Sequence, residues 1–153
     1  MITPILILFI LSCPLAFALI YSRLKRTTLD SRKYASWGLG FAFIFFFIGH
    51  FVKTEGMALM LPPWVPLKIF LIYATGVLEL LVGCALFIPR YQQIAAKLAI
   101  LILIVFFPAN IYAAVNSVGL GGHQWGPIYL LIRAPLQLIL IAWAYCLCVK
   151  KSN

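Results

Sequence analysis

The side chains of this sequence that could do chemistry are polar groups set inside apolar stretches. Glu79 stands in GVLELLVG, Arg133 and Gln137 stand in RAPLQLIL, Asn110 stands in FFPANIY and His50 stands in FIGHFV. A carboxylate and an imidazole can exchange protons, whereas a guanidinium and an amide can hold the oxygen atoms of a bound molecule. A charge in hydrocarbon costs at least about 2.5–3.5 kcal/mol, so each of these residues needs a structural or functional reason.

The composition indicates what surrounds these side chains. Of the 153 residues, 65% are hydrophobic and 10% are charged, whereas soluble domains are about 45–50% apolar and about 25% charged. Too little polar surface is left to cover a water-soluble globule. We therefore expect a single all-α integral membrane domain over residues 1–153, with membrane lipids as partners. We expect no nucleic-acid partner, although the net charge is +9.

Five continuous apolar runs have the length of about 20 residues that a helix needs to cross a bilayer. They lack the period-two alternation of membrane strands, so helices are predicted. The predicted spans are residues 3–21, 34–52, 67–88, 93–115 and 128–149.

The positions of lysine and arginine predict the orientation. With five spans, nine of the 12 such residues fall on one side, and positive charge is enriched on the cytoplasmic side of membrane proteins. We predict a multi-pass protein of the bacterial cytoplasmic (inner) membrane, with its N-terminus outside and its C-terminus in the cytoplasm. A basic cluster follows the first run and none precedes it, which favours a retained anchor over a cleaved signal peptide. The nine are Arg23, Lys25, Arg26, Arg32, Lys33, Arg90, Lys97, Lys150 and Lys151.

Helical spacing predicts where Glu79 points. Gly76, Glu79 and Gly83 fall at i, i+3 and i+7 on one face, and small residues let helices approach closely. With a rise of about 1.5 Å per residue, Glu79 is about 18 Å from the outer end of its span and Arg133 and Asn110 are each about 8 Å deep. We predict an ion pair between Glu79 and Arg133, with Asn110 able to bridge them.

Two further polar features lie in the last two spans. Tyr129, Arg133 and Gln137 recur every four residues, which makes a polar stripe on one helix face. Asn110 follows Pro108, which lacks an amide hydrogen and therefore frees a backbone carbonyl that needs another partner in lipid.

Each of these residues also has a purely structural interpretation. Glu79 and Arg133 can form an ion pair that only holds the bundle together, and His50, within a turn of the outer end of its span, can be a capping or headgroup-level residue. The few histidines and acids do not have metal-ligand spacing, so no metal site is predicted. No nucleotide, flavin or haem motif is evident, so a redox centre would belong to a ligand or a partner.

Four segments, in order, resemble the DoxX-like family of small multi-pass membrane proteins (the DoxX/MauE-type superfamily). They are GHFVKTEGMALMLPPWVP, TGVLELLVGCALFIPRYQQIAA, VFFPANIYAAVN and RAPLQLILIAWA, which together cover about Gly49 to Ala144. The segment KTEGMA departs from the family, where many members carry a proline and an aromatic residue after the His-Phe pair.

The resemblance implies a four-helix transmembrane bundle, here preceded by one extra N-terminal span. It also implies that the family's signature positions are His50, Glu79, Pro108, Asn110, Arg133 and Gln137. Some DoxX-like proteins are membrane subunits of quinone-linked oxidoreductases, others associate with redox maturation or oxidative-stress enzymes, and a eukaryotic branch assists the assembly of receptor channels.

Three functions follow as hypotheses. The first is an accessory subunit of a membrane redox system, more consistent with a binding protein than with an enzyme acting alone. It binds a quinone or another lipophile in an outer-half pocket lined by His50, Glu79, Asn110, Arg133 and Trp64. The second is a non-enzymatic assembly factor or scaffold for a membrane complex. The third is a small-solute transporter, which a mid-membrane acid favours but the absence of a visible inverted repeat disfavours.

Overall fold

A computed structural model describes residues 2–117 and 127–150, with only the backbone described at residues 2, 127 and 129. Within these ranges every regular element is helical. The elements in chain order are α1 (Ile2–Lys25), α2 (Ser31–Val52), α3 (Thr54–Leu59), α4 (Lys68–Ala85), α5 (Gln92–Val115) and α6 (Pro127–Trp143), which continues as a π-helical segment (Ala144–Val149).

Five helical segments are long and apolar enough to span a membrane, which confirms the predicted number of spans. They are Thr3–Lys25, Ser31–Val52, Lys68–Ala85, Gln92–Val115 and Leu130–Val149. Large apolar side chains stay exposed along these segments, such as Phe17 at 72% and Ile94 at 61%. This exposure is typical of helices that pack against hydrocarbon.

Three boundaries differ from the predicted spans by three residues or more. The first helix continues to Lys25 and the second begins at Ser31. The third spanning helix ends at Ala85 because the following residues form turns around Pro89. Proline fixes φ and disfavours helical backbone in the residue before it. The connection after α2 also contains α3, a six-residue helix that begins at Thr54, where the hydroxyl donates to the His50 carbonyl at 2.6 Å.

Helix α2 is the centre of the bundle, with its most extensive contacts to α1 and α4. Helices α2 and α4 run antiparallel, because Trp37 contacts Phe87 at one end and His50 contacts Ile72 at the other. Where Gly40 of α2 faces Gly83 of α4, a Cβ on Gly40 would lie 3.0 Å from the Gly83 carbonyl oxygen. Glycine here lets the two backbones touch, as small residues do in membrane bundles.

The last two helices complete the bundle. Helix α5 packs against α6 and its π-helical continuation. The shared core is apolar, with Leu39, Phe43, Leu86, Ala99 and Leu140 all buried. Helix α1 packs on the outer side of α2, where the backbone of Leu11 lies directly against Gly38.

Candidate functional site

Glu79 lies on the face of α4 that packs against α2. Gly76, Glu79 and Gly83 are all buried, and only 4% of the Glu79 surface is exposed. The prediction that this face points into the bundle is therefore confirmed. Glu79 is the only acidic residue of α4.

The direct partner of Glu79 is His50, in the last turn of α2. His50 Nε2 lies 3.2 Å from Glu79 Oε2, and the histidine side chain is 12% exposed. The contact is close without being an aligned hydrogen bond, because Oε2 accepts no hydrogen bond of good geometry from the described residues. The imidazole and the carboxyl group therefore face each other at short range inside the bundle.

The other ring nitrogen of His50 determines which tautomers the pair can adopt. Nδ1 lies 2.9 Å from the carbonyl oxygen of Ile72, and a carbonyl oxygen can only accept a hydrogen bond. Nδ1 therefore carries a hydrogen. Nε2 is the ring nitrogen left to face Glu79, and it can either donate a hydrogen to a carboxylate oxygen or accept one from a carboxyl group. His50 and Glu79 therefore form a close polar contact between α2 and α4.

Two residues of α4 hold the imidazole in place. The Thr75 hydroxyl donates to the carbonyls of Leu71 at 2.8 Å or Ile72 at 3.0 Å, and its oxygen lies 3.4 Å from His50 Nδ1. A Cβ on Gly76 would lie 2.9 Å from the Cβ of His50. The structure thus places the Thr75 hydroxyl beside the histidine.

A second polar contact joins α5 to α6. Asn110 is 8% exposed and Gln137 is 7% exposed, and Asn110 Nδ2 lies 3.5 Å from Gln137 Oε1. The Gln137 amide donates to the carbonyl of Leu103. Leu103 precedes Ile104, whose carbonyl loses its helical donor because Pro108 has no amide hydrogen. Gln137 thus donates to the carbonyl next to the one that Pro108 leaves without a helical donor.

The sequence also indicated three further residues: Arg133, Trp64 and Tyr129. Arg133 is half-buried, one turn before Gln137 on α6, and its charge acts electrostatically on Glu79. The predicted Glu79–Arg133 ion pair stays a prediction, while the contact seen in the structure joins Glu79 to His50. Trp64 lies in the connection between α3 and α4 with 80% of its surface exposed, so the structure does not bring it together with the buried residues. The side chain of Tyr129 lies outside the described part of the chain.

The buried polar residues all fall within one recognised family region. Residues 39–148 match the family described as Domain of unknown function (DUF8561). The chain belongs to this family. The DUF8561 region begins within α2 and ends in the π-helical segment, so it contains every candidate site residue and leaves α1 outside. Searches among curated proteins and among solved structures found no match.

Sequence reasoning missed the partner of Glu79 within the DUF8561 region. When the depth in the membrane is estimated from the helix ends, His50 and Glu79 lie several helical turns apart. The structure brings the two residues to one level because α4 begins beyond the end of α2, beside α3. The acceptors at Ile72 and Leu103 are backbone carbonyls, which every residue carries, so residue types give no signal for them. Within the described ranges, no three His, Cys, Asp or Glu residues form a metal-ligand group.

Proposed function

We propose that this DUF8561 protein is a DoxX-like accessory subunit of a membrane redox system, and that it binds a quinone or a similar lipophile. In this proposal it lies in the bacterial inner membrane with its N-terminus outside and its C-terminus in the cytoplasm. Nine basic residues at one end of the five spans support this orientation. The ordered resemblance from Gly49 to Ala144 supports the DoxX-like assignment.

The observation that carries the proposal is the buried pair of His50 and Glu79. A histidine and a carboxylate 3.2 Å apart, with Glu79 almost fully buried, form an acid–base group inside an apolar bundle. A quinone is itself apolar apart from two oxygens, and those oxygens take up protons when a partner protein reduces the ring. A histidine and a carboxyl group at this distance are suited to such a proton exchange.

The amide and guanidinium groups have a separate role in this proposal. Arg133 and Asn110 hold the ring oxygens by hydrogen bonds, as donors without a proton to give up. Gln137 keeps Asn110 in position, because its own amide group is engaged by the Leu103 carbonyl. Trp64 contributes an exposed aromatic surface at the same end of the bundle, where a ring can stack on its way in.

Equilibrium binding of decylubiquinone to the purified protein in lipid nanodiscs tests the proposal by calorimetry. We expect saturable binding that Glu79→Gln weakens about tenfold or more, since hydrogen bonds to charged groups are worth about 1.5–3 kcal/mol. Glu55→Gln is the matched control, because Glu55 is exposed on α3. Binding that does not saturate, or equal affinities for wild type and Glu79→Gln, would overturn the proposal.

A second candidate function is a non-enzymatic scaffold or assembly factor. It is favoured by the number of buried polar groups that the bundle itself engages: both nitrogens of His50, and the amides of Asn110 and Gln137. Groups engaged in this way hold helices together and need no ligand. A folded protein without saturable quinone binding, in which removal of these groups lowers stability, favours the scaffold. The transporter has no specific structural observation in its favour.

A further inference from the structure

One end of the bundle carries a dense positive charge. It is formed by the end of α1, the start of α2, the turns between α4 and α5, and the end of the π-helical segment. We call it the basic end. Two hydrogen bonds hold it together, from Trp143 Nε1 to the Ala35 carbonyl at 3.1 Å and from Gln93 Nε2 to the Val149 carbonyl at 3.4 Å. Its described basic residues are Arg23, Lys25, Arg26, Arg32, Lys33, Arg90, Lys97 and Lys150.

The negative charge at the basic end is small and already engaged. The acid described there is Asp30, whose carboxylate accepts a hydrogen bond from the backbone amide of Lys33 at 3.1 Å and caps α2. The remaining positive charge at this end therefore has no equal counter-charge within the described residues. It attracts an anion from the membrane surface or from solution.

Two buried hydrogen-bond donors at the basic end have no acceptor in the described part of the chain. They are Trp37 Nε1 and Gln92 Nε2, and Gln92 is only 4% exposed. The indole nitrogen is a donor only, and an amide NH2 group also donates. A buried donor left unpaired costs about 1–3 kcal/mol. Each of these two nitrogen atoms therefore needs a hydrogen-bond acceptor, such as an oxygen atom. Ser36 Oγ is a different case, because it faces the thiol of Cys148.

Trp37 and Lys33 lie together on α2. Lys33 Nζ is 5.2 Å from the Trp37 ring centroid, which is in turn 6.2 Å from the ring of Phe87. Phe87 belongs to the turns after α4, and Arg90 follows it by three residues. The Lys33 ammonium group and the Trp37 indole thus lie together at one corner of the basic end. Both groups carry hydrogen-bond donors that suit the oxygens of a phosphate diester.

An apolar groove continues along the same face of α2. Trp37, Phe41, Ile44 and Ile48 recur at spacings of four, three and four residues, which aligns them on one helix face. The last three line a groove of 320 Å³ between α1 and α2, and its lining is almost entirely apolar. The ring of Phe41 also contacts Phe87, at 4.9 Å. The apolar groove therefore begins next to Lys33 and Trp37 and continues along α2 toward Ile48.

We infer that this surface binds an anionic phospholipid, with its phosphate at Lys33 and Trp37 and an acyl chain in the groove between α1 and α2. A soluble phosphate would explain the donors but would leave the adjoining groove unexplained. The inference does not depend on quinone binding. Native mass spectrometry of the detergent-solubilised full chain tests it, with phosphatidylglycerol, phosphatidylcholine of the same acyl chains, and glycerol phosphate as the three probes.

We expect wild type to bind phosphatidylglycerol about fivefold or more tightly than phosphatidylcholine, the effect of about one basic residue at a membrane surface. Lys33→Gln and Trp37→Phe should each remove most of that preference. The matched controls are Lys53→Gln, at the opposite end of α2, and Trp64→Phe, an exposed tryptophan. Both should keep the preference, and circular dichroism checks that all four variants are folded.

Three results would overturn the inference. The first is equal binding of the two lipids by wild type. The second is a preference that falls as much in Lys53→Gln as in Lys33→Gln, because that result indicates attraction to the net charge of the protein instead of a site. The third is binding of glycerol phosphate as tight as that of phosphatidylglycerol, which identifies a soluble phosphate as the ligand.

Discussion

His50 Nε2 and Glu79 Oε2 lie 3.2 Å apart across the interface of α2 and α4. Because Nδ1 of the same ring donates to the Ile72 carbonyl, Nε2 is the ring nitrogen that faces Glu79. The histidine side chain also packs against Gly76 of α4. The contact thus joins two neighbouring helices through a histidine and a carboxyl group inside the bundle.

The two side chains should be strongly coupled in stability. His50→Phe leaves a buried carboxyl without its partner, and Glu79→Met leaves a buried imidazole without its own, so each single change is destabilising. The double variant removes both polar groups. We expect it to be more stable than the sum of the single losses by about 0.5–3 kcal/mol. Unfolding in detergent measures the cycle, and strictly additive losses would show that the two residues act independently.

Gly76 should tolerate no larger residue. Gly76→Ala places a methyl group against the Cβ of His50, where the distance would be 2.9 Å, and overpacking of this kind costs about 1–3 kcal/mol. Gly49→Ala is the matched control, since its Cβ would meet only the Met57 side chain at an ordinary 3.5 Å. The control should be neutral or stabilising by up to about 1 kcal/mol, because alanine favours helix. Thermal unfolding that ranks the two variants the other way contradicts this packing.

Gln137 should stabilise the interrupted helix α5. Gln137→Leu removes the donor to the Leu103 carbonyl and also leaves Asn110 unpaired, which we expect to cost about 1–3 kcal/mol of unfolding free energy. Gln93→Leu serves as the comparison, because that amide makes a longer hydrogen bond, 3.4 Å, to the Val149 carbonyl from a half-buried position. Equal stability losses in chemical unfolding would argue against a special role for Gln137.

Arg133 should contribute to stability through the charge of Glu79. Its guanidinium acts electrostatically on that buried carboxyl, so Arg133→Ala should lower the melting temperature in detergent. Combining Glu79→Gln with Arg133→Met removes both charges and should restore much of the loss. Losses that simply add in the double variant count against the predicted pair.

The sequence predicted the parts of the structure that depend on local pattern. Five apolar runs gave five spans, and the spacing of Gly76, Glu79 and Gly83 gave the buried face of α4. Both rest on the periodicity and the length of a single helix, which the sequence carries directly.

The contacts between helices were harder to predict. Depth estimated from the helix ends puts His50 at the outer end of its span and Glu79 at a deeper level, because that estimate takes all helices to begin at one plane. Helix α3 and the connection that contains Trp64 shift α4 relative to α2, and this shift brings His50 and Glu79 together. The residue pattern within each helix does not indicate how far α4 is displaced along α2.

The most direct test is infrared difference spectroscopy of the nanodisc-embedded protein with and without decylubiquinone. If His50 and Glu79 exchange a proton with the ligand, binding changes the carboxyl band of Glu79. We expect a difference band that is present in wild type and in Glu55→Gln and absent in Glu79→Gln. Saturated binding with no change in any carboxyl band, or the same change in Glu79→Gln, would contradict it.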